Sequence, residues 1–325
     1  MNELPIRVPL SVIGGFLGAG KTTLINRLLR DANGRRMVVF VNDFGALNID
    51  VDLIETRQSD RISLKNGCVC CTLNQDLVRG IATELRAIDT TPPDALLIET
   101  SGIADPRALD SSLHALELAG LIRIDAKLYV LDADRFASYP YDEAETVIDH
   151  AAASDLVLLN KVDLARASAL THLHATLAEA APYTRVAETT YCDLPIDCIV
   201  TPQSHIEAFK PTRVIDHTQR YLSWTHETSV PLSRARFDAF VAQLPRSVMR
   251  AKGILFFEES PNLPMVFHLV GHRVSITPFA LQSSATVPSM SRIVVIGTKN
   301  GWSAAQMEAA AAQLQSDGST QPRHP

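Results

Sequence analysis

Val8-Pro9-Leu10-Ser11-Val12-Ile13-Gly14-Gly15-Phe16-Leu17-Gly18-Ala19-Gly20-Lys21-Thr22-Thr23-Leu24-Ile25 joins an apolar strand-like run, a glycine-rich turn and the start of an apolar-striped helix. Residues 15 to 22 fit G-x-x-x-x-G-K-[ST], and a strand before and a helix after are the setting in which that pattern cradles phosphates. The glycines let backbone N–H groups turn inward, and the helix N-terminus adds a favourable dipole. Lys21 reaches β and γ oxygens, while Thr22 offers a hydroxyl to Mg2+. Gly15, Gly18, Ala19, Gly20, Lys21, Thr22 and Thr23 are therefore candidate nucleotide contacts. The bland alternative is an ordinary glycine-rich connection between strand and helix.

Working outward, short apolar runs recur at Met37 to Val41, Ala95 to Ile98, Leu128 to Leu131 and Leu156 to Leu159, and read as buried parallel strands. Between them lie helical patterns, such as Leu24, Ile25, Leu28 and Leu29, or Leu170, Leu173 and Leu177, each laying one apolar stripe on a sheet. Strand and helix in alternation predict an α/β domain with a doubly wound, mostly parallel sheet over residues 1–199. Residues 200–219 read as a linker and residues 220–316 as a smaller α+β domain, with a frayed tail at 317–325. In the smaller domain, strands are expected near Leu222 to Val230, Gly253 to Phe257, Met265 to Val270 and Ile293 to Ile296. A helix presents Phe237, Phe240, Val241 and Leu244 on one face, and Ser303 with Gln306 forms a capping box for the last helix.

Asn160-Lys161-Val162-Asp163 follows one apolar run directly, at the carboxyl end of a strand where open α/β sheets bind ligands. The Asp163 carboxylate can accept from the N1–H and exocyclic amine of guanine, a pairing that adenine would leave unmade. Lys161 would pack its stem on the ring, and Asn160 would brace this loop against the phosphate loop. The alternative is a solvated turn leading into a helix. Leu96-Leu97-Ile98-Glu99-Thr100-Ser101-Gly102 ends a buried run in a carboxylate suited to the Mg2+ side, followed by Gly102 at a turn that senses the γ-phosphate. Val41-Asn42-Asp43-Phe44-Gly45 likewise ends a strand with a carboxylate and a hinge, placing Asp43 where a loop could close or orient the attacking water. Glu99 could instead be a helix-leading carboxylate before Asp105-Pro106, and Asp43 a plain strand-to-turn exit.

Gly67-Cys68-Val69-Cys70-Cys71 concentrates three of the five cysteines of the chain. In an extended backbone Cys68 and Cys70 project to one side and can share a borderline metal ion, while Cys71 points elsewhere and would be a third sulfur of the cluster. So few sulfurs leave coordination open, which suits cargo that must be released better than a closed structural site. A redox pair or inert buried thiols are the competing readings, although a disulfide between such close neighbours is strained. Cys192 and Cys198 stand apart and read as structural, and the histidines as solvated or satisfied.

The 325 residues are 46% hydrophobic and 20% charged, as in ordinary globular proteins, and the net charge of −6 disfavours nucleic acid as the main partner. The N-terminal residues lack an export signal and no apolar run reaches membrane-spanning length, so a cytoplasmic protein without membrane association is expected.

Taken together, Gly14 to Thr23, Gly67 to Cys71, Glu99 to Gly102 and Asn160 to Asp163, in that order, resemble the CobW-type metal-chaperone GTPases. The resemblance extends to Arg250-Ala251-Lys252-Gly253 and the apolar strand after it, which is similar to the smaller C-terminal domain of that family. It implies hydrolysis of GTP with Mg2+, coupled to capture of zinc or cobalt and delivery to a client metalloprotein, with the cysteine cluster at or beside the metal site. A homo-oligomer is compatible with it. Many members carry glutamate where this chain has Asp43, and many carry a histidine-rich tract that is missing here. Two further readings stay open: a nucleotide-loaded metal sensor with slow turnover, and a GTPase with redox-sensing cysteines.

Overall fold

A computed structural model describes residues 7–32, 34–41, 61–63, 78–83, 85, 92–102, 104–200, 221–271, 273–279, 290–298 and 302–314. The chain divides into two compact units, Asn2–Ile206 and Glu207–Pro325. The expected linker, apart from Val200, and the expected tail lie outside the described residues.

In the first unit the strands are β1 (Val8–Gly15), β2 (Met37–Val41), β3 (Arg61–Ser63), β4 (Ala95–Glu99), β5 (Ile122–Asp132), β6 (Leu156–Asn160) and β7 (Arg185–Glu188). They form one seven-stranded sheet in the order β3-β2-β4-β1-β5-β6-β7. Every pairing is parallel. From β1 the chain runs out to β2 on one side, and after β4 it crosses to β5 on the other. The crevice of the sheet therefore opens at the carboxyl end of β1.

Helices cover the sheet: α1 (Lys21–Arg30), α2 (Asp110–Leu118), α3 (Tyr141–Ala152) and α4 (Ala167–Ala180). β1 is buried along its whole length, as a central parallel strand must be. Val8, Leu10 and Val12 join Phe40, Ile98, Leu113 and Leu116 in one apolar cluster. A second cluster sets Tyr129, Leu131, Val157 and Leu159 of β5 and β6 against Val147 of α3 and Leu173 and Leu177 of α4. Leu24, Ile25 and Leu28 form the buried stripe of α1, whereas Leu29 is only partly covered.

The second unit is a five-stranded antiparallel sheet made of β8 (Tyr221–Thr228), β9 (Val248–Phe257), β10 (Ser260–Val270), β11 (Arg273–Pro278) and β12 (Ser291–Thr298). Its order is β11-β10-β9-β12-β8. With it go α5 (Arg234–Gln243) and α6 (Ala304–Ala311). Phe237 is the hub of the core, with its ring edge-on to Phe267 at 4.9 Å and to Phe257 at 5.7 Å. Such pairs add roughly 0.5–1.5 kcal/mol beyond the area they bury. Ser303 caps α6 in a reciprocal box, its Oγ accepting from the Gln306 N–H while the Ser303 N–H donates to Gln306 Oε1. No helix among the described residues is long and apolar enough to cross a membrane.

Three strands carry no signal in the apolar pattern, namely β3, β7 and β11, and each lies at the edge of its sheet. An edge strand has a neighbour on one side only, so it can be short and polar, as Arg185-Val186-Ala187-Glu188 is.

Both tryptophans, Trp224 and Trp302, belong to the core of the second unit, so their fluorescence reports on its unfolding. Phe237→Ala is expected to lower its stability in urea by about 3–5 kcal/mol, and Ser303→Ala by about 1 kcal/mol. A midpoint unmoved by Phe237→Ala would show that the aromatic cluster does not hold this unit together.

Candidate nucleotide site

β1 ends at Gly15 and α1 begins at Lys21, so the intervening residues form a loop directly over the crevice. Gly20 caps the helix with a left-handed φ of 116°, and a Cβ on it would lie 2.6 Å from Asn160 Nδ2. Only glycine meets both conditions. The Ala19 N–H donates to the Phe16 carbonyl, which tightens the turn. Lys21 is buried, and its ammonium donates to the carbonyls of Gly15 (3.0 Å) and Phe16 (3.3 Å), inside the curve of the loop. Thr22 follows with its hydroxyl donating to Glu99 Oε1 at 2.9 Å, and Thr23 is exposed.

Glu99 is 2% exposed at the carboxyl end of β4, level with Ile13 of β1. Three residues on, Gly102 approaches Leu17 of the phosphate loop so closely that a Cβ there would lie 2.6 Å from Leu17 Cδ2. The turn after β4 is thus in contact with the phosphate loop. On the other flank Arg135 reaches the same loop, its Nη1 lying 3.6 Å from where a Cβ on Gly18 would be.

Asn160 ends β6 and is buried at 2% exposure. Its Nδ2 donates to the Ala19 carbonyl at 2.8 Å, while its Oδ1 accepts from the Cys192 N–H (3.0 Å) and Thr189 Oγ1 (3.3 Å). One amide side chain therefore ties together three loops far apart in sequence. Lys161 adopts a left-handed φ of 62° and sends its ammonium to the Gly18 carbonyl (2.8 Å) and to Asp132 Oδ2 (2.6 Å). Asp163 is exposed on the turn that follows.

Asp132, Arg135, Thr189 and Cys192 are site residues that the motifs do not announce. Asp132 carried a readable signal, because it ends the apolar run of β5 as Glu99 ends β4 and Asn160 ends β6. Cys192 is buried and donates to the Gly20 carbonyl at 3.3 Å, from a backbone φ of 52°. Burial pushes its thiol up to about 12, despite the nearby cations Arg27 and Lys161. It is protonated at neutral pH and can donate. Cys198 is likewise buried. Asp43, Cys68, Cys70 and Cys71 lie outside the described residues, as do His217 and His272. Of the other histidines, His174 reaches Glu188 at 2.7 Å and His226 stacks on Trp224 at 5.7 Å between ring centroids.

These residues fit a magnesium nucleotide. The Thr22 hydroxyl and the Glu99 carboxylate are hard oxygen donors beside a helix N-terminus, the chemistry that Mg2+ selects.

Residues 9–188 match the family described as CobW/HypB/UreG, nucleotide-binding domain, and residues 221–314 match the cobalamin synthesis protein cobW C-terminal domain. The chain is similar to a zinc chaperone CobW of Pseudomonas aeruginosa, at 32% identity over 242 residues, which cover 65% of this chain and 64% of that one. It is also similar to a zinc chaperone CobW of a Sinorhizobium species, at 34% identity over 192 residues, 50% of this chain and 53% of that one. For a zinc chaperone YjiA of Escherichia coli the values are 26% over 269 residues, 78% and 84%. The match thus spans less than two thirds of the length of the first two relatives. By the match over 9–188, the chain belongs to the CobW/HypB/UreG nucleotide-binding family.

Proposed function

We propose that this protein hydrolyses GTP and couples the cycle to capture of a transition metal, zinc or cobalt, and its delivery to a client metalloprotein. The observation that carries the nucleotide half is the Asn160 side chain, which holds the base-reading loop against the phosphate loop through the Ala19 carbonyl. A pocket with phosphate and base ends fixed to each other measures the length of a nucleotide, which neither motif does alone. In this reading Gly15, Gly18, Ala19, Gly20 and Thr23 line the phosphates and Lys21 neutralises their charge. Asp163 takes the guanine edge, and Gly102 senses the γ-phosphate. Thr22 and Glu99 hold Mg2+, which supplies charge neutralisation on the phosphate oxygens when bound. Hydrolysis moves the terminal phosphoryl group to water, giving GDP and phosphate. The protein's share is positioning and electrostatics, with Asp43 orienting the water.

For the metal half, the support is Cys68-Val69-Cys70-Cys71 and the similarity to chains named zinc chaperones. The thiolates take the metal as cargo, and loops that respond to the γ-phosphate alter their spacing. Coupling requires that metal affinity differ between the GTP and GDP states. We assign the GTPase domain to residues 1–199 and the C-terminal domain to residues 220–316, and place the protein in the cytoplasm, where exposed thiols stay reduced.

Replacing Lys21 by alanine is expected to cut GTP turnover by about a hundredfold or more, read as phosphate release at saturating GTP. Asp163→Asn exchanges an acceptor pair for an amide that can donate to the C2 carbonyl of xanthine. It should weaken GTP by about a thousandfold and raise affinity for xanthosine triphosphate; GTP binding equal to the parent's would exclude Asp163 as the base reader. A Cys68→Ser and Cys70→Ser double variant should lose stoichiometric Zn2+ or Co2+ in competition with a chromogenic chelator. Retention of metal at the parent's affinity would remove the metal half and leave the nucleotide half standing.

A further inference from the structure

Asp132 has a side chain with no solvent exposure, at the carboxyl end of β5 and level with Asn160 of β6. The ladder between the two strands continues one step beyond, the Ala133 N–H donating to the Asn160 carbonyl at 2.9 Å. The two carboxylate oxygens of Asp132 do different things. Oδ2 receives the Lys161 ammonium at 2.6 Å, while Oδ1 accepts from the N–H groups of Asp134 and Arg135, each at 3.1 Å. One oxygen therefore anchors the lysine of the Asn-Lys-x-Asp loop, and the other caps the short turn Arg135–Ser138 from which Arg135 extends to Gly18.

Lys161 is 32% exposed and would sample many rotamers without an anchor. Its left-handed backbone turns the side chain back over the phosphate loop, where the Gly18 carbonyl and Asp132 hold it from two sides. A lysine so fixed has its ordering cost met before any ligand arrives, and preorganisation of that kind appears as affinity. A buried carboxylate left without its cation is costly, so the pair is also self-enforcing.

We propose that Asp132 is a positioning residue for the nucleotide: without touching it, this carboxylate holds Lys161 in the base-reading pose and the Arg135 turn against the phosphate loop. The inference rests on the GTP-binding reading above. Its test measures dissociation constants of fluorescent GDP and GTP derivatives on the full chain, in a double-mutant cycle of Asp132→Asn and Lys161→Met, with melting temperatures recorded alongside. Each single change is expected to weaken GDP and GTP alike by about ten- to a hundredfold, the worth of a charged hydrogen bond. The double variant should be no weaker than the worse single one, because both remove the same contact. Asp132→Ser retains an acceptor for the turn and removes the anion, and should reproduce the loss.

Binding within twofold of the parent in Asp132→Asn or Asp132→Ser would overturn the inference. So would losses that multiply in the double variant, which mark a structural role independent of Lys161. Failure of both Asp132 variants to fold would also overturn it, by making Asp132 a folding residue. A parent chain that binds no guanine nucleotide at all would be a separate result, and it would sink the GTP reading itself.

Discussion

The constraint on which this site depends is the buried amide of Asn160, which donates to Ala19 across 141 residues of sequence and accepts from the loop at Thr189 and Cys192. Each of the three loops joined there is short and carries a turn's backbone hydrogen bond, from the Ala19 N–H to the Phe16 carbonyl, from the Leu164 N–H to that of Lys161 and from the Asp193 N–H to that of Thr190. In a low-dielectric interior a satisfied polar hub is stable, and one with a missing partner is not. The phosphate loop and the base loop therefore have one arrangement in common.

That hub is possible because the sheet is parallel. All strands run the same way, so their carboxyl ends lie along one edge, and polar residues that end apolar runs collect there. Glu99 of β4, Asp132 of β5 and Asn160 of β6 occupy equivalent places at their strand ends. Each is buried, and each faces an element of the nucleotide site: Thr22, Lys161 and Ala19 respectively. Burial makes these contacts selective, since a charge or an amide in such surroundings needs a matched partner.

The second unit is built on a different principle. Its antiparallel sheet buries one aromatic-rich cluster with α5 and α6, in which Trp224, Phe237, Phe240, Phe257, Phe267 and Trp302 supply much of the apolar surface. The apolar runs at Gly253 to Phe257 and Ile293 to Ile296, and the one face of α5 that carries Phe237 and Phe240, foreshadowed that cluster. The strand lengths were less readable: β9 begins at Val248, earlier than the run Gly253 to Phe257 suggests. The reason is that Arg250 and Lys252 interrupt the apolar string, although Arg250 is fully buried in the folded unit.

Residue order alone determined the α/β class, the central strands, the phosphate loop, the Asn-Lys-x-Asp loop and the Ser303 capping box, because each is a local pattern whose physics closes within a few residues. Tertiary structure alone decided the edge strands β3, β7 and β11 and the contacts that Asp132, Arg135 and Cys192 make. Edge strands owe their conformation to a single neighbour and need no apolar signature of their own. The contacts of Asp132 and Cys192 exist only once strands and loops from distant parts of the chain lie side by side, a distance that no local spacing encodes.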